Sequence, residues 1–267
     1  MPTELTTVLI RSVAAIAALM VLVWLESVRR KDASIVDLAW GMGFVVVAWT
    51  AYFSASTTTS TTQLLLPVLA TVWGIRLSGY LTWRNHGKPE DFRYQAMRQK
   101  WGGSFPFVSL LTVFVLQGTV MWIVSLPLQV GIGTANRNIE WLLIAGIIVW
   151  VIGLFFESCG DWQLARFKGK PENAGQVLDT GLWRYTRHPN YFGDFVVWWG
   201  FYLVAISQSD AIWSIVGPIV MSIFLMRVSG VTLLEKTLSK TKPQYAAYVA
   251  QTNAFFPGPR RSSMAKQ

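Results

Sequence analysis

The stretch Gly181-Leu182-Trp183-Arg184-Tyr185-Thr186-Arg187-His188-Pro189-Asn190-Tyr191-Phe192-Gly193-Asp194 gathers the densest set of chemically capable side chains in the sequence. Pro189 suits the first turn of a helix, where its missing N–H costs nothing. A helix starting there directs free amides and a positive dipole end at what precedes it, an arrangement that favours phosphate or carboxylate. Arg184, Arg187 and His188 stand just ahead of that point. Asn190 and Asp194, four apart, project from one helix face, with Tyr191 beside them and Trp198 repeating the Asp194 face one turn later. An aspartate this close to an apolar run is costly unless it binds something. The plainer alternative has Arg187 and His188 marking a membrane interface and Asp194 paired with an arginine.

Glu157 and Asp161 form a second set, again four apart, followed by Arg166, Lys168 and Lys170. Like charges at that spacing repel, so a ligand, a cation or a basic partner is implied, unless headgroups simply solvate the helix end. Residues 169–180, rich in Gly, Pro, Asn and Asp, read as a loop able to fold over a ligand. Arg76 and Tyr80 are a third pair at i and i+4, and a mid-span arginine must meet an anion or snorkel to the interface. Asp37 stands two residues inside an apolar run; it fits a catalytic acid, a salt-bridge partner for Arg76 or an interfacial charge. Glu90-Asp91-Phe92-Arg93-Tyr94 is a mixed-charge patch on a short amphipathic helix or a solvated, self-paired loop. His86 and His188 are too few and too separate to build a metal site with the carboxylates.

The elements that must position these groups are membrane spans. Seven runs of about 20 largely apolar residues are long enough to cross a ~30 Å core: Leu5–Leu25, Ile35–Phe53, Leu64–Trp83, Phe105–Val130, Ile139–Cys159, Asn190–Ser207 and Ala211–Gly230. The expected fold is therefore all-α, a polytopic integral membrane protein of about seven helices forming a single transmembrane domain over residues 1–267. A C-terminal region, 181–257, carries the 181–194 motif. Apart from Arg11, Arg76 and Arg137, the basic residues fall in the first, third and fifth connections and in the tail with its flank, including Arg29, Arg30, Lys31, Lys236, Lys240 and Lys242. The even connections are nearly bare of them, so an outer N-terminus and a cytoplasmic C-terminus follow, as in a bacterial inner membrane.

Composition excludes the main alternatives. Charged residues make up 14% of the 267-residue chain, against about 25% for soluble domains, too few to cover a soluble surface. The net charge of +9 lies between apolar runs, where it sets topology and attracts anionic lipid or cofactor; it does not form a nucleic-acid-binding face. A single cysteine, Cys159, leaves no disulfide framework. The first apolar run is too long for a signal peptide and has no basic start or small-residue cleavage site.

The 181–194 stretch resembles the C-terminal region of the steroid 5-alpha reductase superfamily, and most closely a bacterial branch described as a domain of unknown function (DUF1295-like). Trp73-Gly74-Ile75-Arg76-Leu77 ending in Trp83-Arg84, Glu90–Tyr94, and Leu234-Glu235-Lys236 are similar to the same branch. The resemblance implies NADPH-dependent reduction of a carbon–carbon double bond conjugated to a ketone, in an apolar lipid- or sterol-like substrate, with no obligate protein partner. It implies that Asn190 and Asp194 lie near the nicotinamide, Asp161 in the cofactor site and Lys168 at a phosphate, with Arg76 and Tyr80 lining the cavity. Arg184, Arg187, His188, Tyr191 and Glu235 complete the implied cofactor set. Steroid reductases hold the ketone with a glutamate and a tyrosine, whose nearest counterparts here are Asp37 and Trp73. An indole cannot replace a phenol as proton donor, so Tyr80, or else Tyr94, is expected to serve.

The Arg-His-Pro-x-Tyr core is shared with isoprenylcysteine and phospholipid methyltransferases, which use S-adenosylmethionine. Those enzymes usually carry two adjacent acids after the last span, where this chain has Glu235-Lys236. A non-catalytic lipid-binding or assembly protein on the same helices is the third class.

Overall fold

The computed structural model describes residues 2–55, 61–210, 212–228, 231, 235 and 244–261. The Ser/Thr connection at 56–60, Leu234, Lys236, Lys240, Lys242 and the expected end of the last span at Gly230 lie outside them. Among the described residues the fold is all-helical, with one isolated parallel bridge between Thr186 and Asn253 and no named strand. Its α-helices are α1 Pro2–Arg30, α2 Ile35–Ser54, α3 Thr61–Asn85, α4 Phe92–Trp101, α5 Phe105–Ser109, α6 Leu116–Val124, α7 Leu126–Gly133, α8 Glu140–Lys168, α9 Pro189–Gln208, α10 Val216–Ile223 and α11 Tyr245–Gln251.

Among the described residues, five helical stretches are long and apolar enough to cross a membrane: Glu4–Arg30, Ile35–Ser54, Gln63–Asn85, Phe92–Val124 and Glu140–Lys168. Residues such as Ile10, Leu22, Val72, Leu111 and Ile148 stand exposed on them, as lipid-facing residues of a multi-pass membrane protein do. The other two expected spans are present as helix but differ in kind. Asn190, Asp194, paired tryptophans and tyrosines dilute the hydropathy of α9, and Ile212–Val228 is shorter.

Two expected boundaries move. The fourth run does not continue to Val130: α6 ends at Val124 and a separate α7 begins at Leu126, with Pro127 in its first turn. Proline supplies no N–H to the preceding turn but is well placed to start a new one. The fifth run does not stop at Cys159. Helix α8 continues to Lys168, which puts Glu157, Asp161, Arg166 and Lys168 on one continuous rod. The turn Leu110–Val115 between α5 and α6 is π-helical, a widening found at functional sites more often than elsewhere in helices.

The chain forms two compact units, Met1–Leu143 with Val204–Gly217, and Ile144–Leu203 with Pro218–Gln267. In the first unit, α2 packs against α1 and α3, and α7 lies against all three. Gly41 and Gly74 let α2 and α3 touch backbone to backbone, since a Cβ on Gly41 would sit 2.6 Å from the Gly74 carbonyl oxygen. Trp73 is fully buried there against Phe44, with ring centroids 5.6 Å apart.

In the second unit, glycines on both α8 and α9 bring the two helices into contact. Gly153 and Gly160, seven apart on α8, meet α9 at Gly193 and at Asn190; Gly193 and Gly200, seven apart on α9, meet α8 at Gly153 and at Trp150. A Cβ on Gly153 would lie 2.5 Å from Val197 N, and one on Gly193 would lie 2.3 Å from Glu157 N. Membrane helices gain no hydrophobic drive toward one another, so such close contact is their main source of affinity. Gly193→Ala should therefore lower stability by about 1–3 kcal/mol, whereas Gly79→Ala on α3, whose Cβ would meet nothing within 4 Å, should be tolerated. Thermal denaturation in detergent separates the two, and equal melting temperatures would refute this account of the helix pair.

Candidate functional site

Each unit holds a polar cluster in an otherwise apolar setting. In the second unit, the α8–α9 contact places Asn190 beside Asp161, and the Asn190 Nδ2 donates to Asp161 Oδ1 at 3.0 Å. Asp161 and Glu157 are buried on α8, and Asp194 is buried on α9. Asn190 and Tyr191 keep partial exposure, while Arg184 and Lys168 are exposed. Gly160 makes this possible: a Cβ there would press to 3.0 Å from Asn190 N. Trp183 Nε1 donates to the Gly160 carbonyl at 3.1 Å and pins the incoming loop to the same spot.

Arg187 and His188 do something else. Arg187 is buried and donates to Glu235 Oε1 at 2.8 Å and to the carbonyl oxygens of Val249 and Thr252 at 3.2 and 2.5 Å. His188 Nε2 lies 3.2 Å from the same Glu235 oxygen, and its ring stacks on Tyr191 at 5.8 Å. Burial pushes the Glu235 carboxyl up, but hydrogen bonds from His188 and Arg187 outweigh it and bring the pKa down to about 2. Around this ion pair the C-terminal segment is fastened to the motif loop. Arg187 N donates to Asn253 O at 2.9 Å, Gly258 N to Tyr185 O at 3.0 Å, Thr186 Oγ1 to Phe255 O at 2.7 Å and Tyr248 Oη to Trp183 O at 2.5 Å. Burial raises the pKa of Tyr245 to about 12, and the Tyr248 phenol is pushed up for the same reason. The set thus divides in two: Asn190, Tyr191, Arg184 and Lys168 remain accessible, whereas buried Arg187 and His188 close on half-buried Glu235 as a clamp.

In the first unit the centre is Asp37 on α2. Its Oδ1 accepts from Tyr94 Oη and from Gln117 Nε2, both at 3.3 Å, and its Oδ2 accepts from Arg93 at 3.1 Å. Gln117 Nε2 also reaches Tyr94 Oη at 3.3 Å, closing a triangle of three polar groups from α2, α4 and α6. Of the three alternatives for Asp37, the structure shows a salt bridge, but to Arg93. The Glu90–Tyr94 stretch is correspondingly no solvated loop. Asp91 caps α4 by accepting from Arg93 N at 2.9 Å. Ser34 Oγ accepts from Asp91 N at 2.8 Å, and Glu90 accepts from Ala33 N at 2.7 Å. Burial raises the Asp91 pKa, but the Arg93 side-chain and backbone hydrogen bonds overcome it and leave the group below the usual carboxylate range.

Arg76 and Tyr80 do lie together on α3, with the Arg76 and Arg84 guanidinium carbons 5.5 and 5.7 Å from the Tyr80 ring centre. Sequence reasoning missed Gln117 altogether. The available signal was an amide in the middle of a long apolar run, which is costly unless partnered.

A family model described as "Protein of unknown function (DUF1295)" matches residues 23–252. An "Uncharacterized protein C594.04c" from Schizosaccharomyces pombe (strain 972 / ATCC 24843) is 24% identical to the chain, over 88% of this chain and 75% of the yeast protein. No solved structure matches. The family match takes in both polar clusters apart from its last few residues, and the protein accordingly belongs to the DUF1295 family, within the steroid 5-alpha reductase-like superfamily.

Proposed function

We propose that the protein is a membrane-embedded, NADPH-dependent reductase of a conjugated carbon–carbon double bond in a lipid- or sterol-like enone, held in a bacterial inner membrane with its C-terminus cytoplasmic. The observation that carries the reading is the triangle of Asp37, Tyr94 and Gln117. A carboxylate and an amide from two apolar helices meet at one phenol, and a phenol oriented by a carboxylate is what an enone reductase needs opposite the ketone. Tyr94, already hydrogen-bonded to Asp37, fits the role of proton donor better than Tyr80, whose ring lies beside two arginines.

The second unit's donor set fits a phosphorylated dinucleotide: exposed Lys168 and Arg184 suit its phosphates, and Asn190, braced by Asp161, presents an amide at the mouth of the same cluster. Tyr191 and Asp194 complete that set, and Arg187, His188 and Glu235 hold it in place. NADPH, when bound, would supply the hydride for the β carbon of the enone. As negative charge developed on the ketone oxygen, the Tyr94 hydroxyl, which donates to Asp37 Oδ1 in the structure, would turn its one proton to that oxygen; the resulting enol would take a proton from solvent at its α carbon as the O–H proton returned to the phenol. Gln117 fixes the direction of the phenol. Arg93, 5.3 Å from the Tyr94 ring centre and paired with Asp37, offsets the charge left behind.

Binding tests this directly. A ligand at 100 times its Kd stabilises by about 2.7 kcal/mol, so NADPH should raise the melting temperature of purified protein by several degrees, and Asn190→Ala should remove the rise. A rise with S-adenosylmethionine and none with NADPH would replace the reductase by a methyltransferase. No rise with either would leave a non-catalytic lipid-binding protein as the reading.

A further inference from the structure

We infer that α8 carries, on the face opposite Asp161 and Lys168, a binding site for the headgroup of an anionic phospholipid. The loop after α8 does not lie over the cofactor residues of that helix. It folds back on the other side to form a cleft of about 260 Å³ lined by Trp162, Arg166 and Lys170 of the helix and by Asn173, Thr180 and Gly181 of the loop. Lys170 is nine residues from Asp161, about two and a half helical turns, so the two side chains leave opposite faces. The volume lies below the roughly 300–1,000 Å³ of sites for drug-sized ligands, small for a dinucleotide and adequate for a phosphoglycerol group.

The cleft is a built feature. Gln163 Oε1 accepts from Leu182 N at 3.0 Å. Gly181, at φ +61°, seats the chain against Gln163 where a Cβ would come within 2.6 Å of that oxygen. Arg260 grips Asp179 from the far side of the loop. The two cations are not needed to cap the helix. Ala165 and Phe167 carbonyls already accept from Gly169 N and Lys170 N at 2.9 and 3.4 Å, and Asn173 Nδ2 adds a bond to Phe167 O at 2.8 Å. Lys170 meets Glu172 only at 3.9 Å with both side chains exposed, a contact that a phosphate can displace. Arg166 rests over the Trp162 ring at 5.4 Å.

A lipid is the occupant because the cleft continues a lipid-facing stripe. Ile144, Ile148, Ile152 and Phe155 are 49%, 54%, 44% and 55% exposed, and Trp162 is 58% exposed. With Arg166 and Lys170 they follow one another at helical spacing along a single face. An acyl chain laid on the isoleucines would bring its phosphate to Arg166 and Lys170, with the indole at headgroup depth.

The test uses full-length protein in nanodiscs of phosphatidylcholine, with and without a minority of phosphatidylglycerol. Phosphatidylglycerol should raise the melting temperature by about 2–4 °C. The double variant Arg166→Gln with Lys170→Gln should lose that rise, and the charge-keeping exchange Arg166→Lys with Lys170→Arg should keep it. Lys168→Gln, which removes the same charge from the opposite face, should also keep it. An undiminished rise in the double variant would make the effect a bulk property of the bilayer and overturn the site. The same rise from inorganic phosphate in phosphatidylcholine discs would overturn the lipid in favour of a free anion. NADPH stabilisation should survive in the double variant; its loss would assign the cleft to the cofactor instead.

Discussion

Tyr94→Phe should abolish enone reduction while leaving the stabilisation by NADPH intact. The substitution removes one oxygen from a residue only 6% exposed, so packing is kept. It also removes the donor that would meet the developing enolate. Loss of a positioned general acid costs about 10²–10⁴-fold in rate, and turnover should fall by at least about 100-fold with little change in substrate KM. Asp37→Asn should lower the rate as well, because an amide no longer matches the donors offered by Arg93, Gln117 and Tyr94. Tyr80→Phe is the counter-test, made under the same single-turnover conditions with an enone that the wild type reduces. A normal rate in Tyr94→Phe together with a collapsed rate in Tyr80→Phe would transfer the role to Tyr80.

The second large effect is on stability. Arg187→Met should destabilise the protein by about 3–5 kcal/mol, the usual cost of breaking a partly or fully buried ion pair by removing one partner. The loss would take the Arg187 guanidinium away from Glu235 and deprive the Val249 and Thr252 carbonyls of their shared donor. Because those carbonyls belong to the C-terminal segment, limited proteolysis should cut near residue 250 first.

The pH dependence gives an independent check. Glu235 has its pKa lowered from the ordinary 4.5 to about 2 in the folded protein. Its contribution is therefore complete above about pH 4.5 and fades as pH falls from there toward 2. Comparing wild type with Glu235→Gln, the gap in melting temperature should be constant at neutral pH and should narrow below 4.5. A gap that stays open at the acid end would mean the carboxylate charge is not what holds the clamp.

Apolar length was enough to locate the five long spanning helices from sequence, because a bilayer requires each span to satisfy its own backbone hydrogen bonds and to be about 20 residues long; the separate helices α7 and α11 were not read. The sequence likewise pointed to the 181–194 motif and to the pairing of Arg76 with Tyr80, since residues four apart on a helix must share a face. It misjudged where two helices end: at Val124, because hydropathy runs on unbroken across the new helix that Pro127 starts, and at Lys168, because hydropathy marks the apolar core and not the turns beyond it.

Contacts between distant segments were decided only by the tertiary structure. The meeting of Asp37 with Tyr94 and Gln117 joins residues 57 and 80 positions apart, a distance that no local period encodes. The division of one basic motif into accessible Asn190, Tyr191 and Arg184 and buried Arg187 and His188 depends on the C-terminal segment folding back onto it, 65 residues later at Thr252. The seven-residue glycine spacing on α8 and α9 was present in the sequence throughout. It acquires meaning only when the partner helix is known, because a missing side chain matters only where another backbone fills the gap.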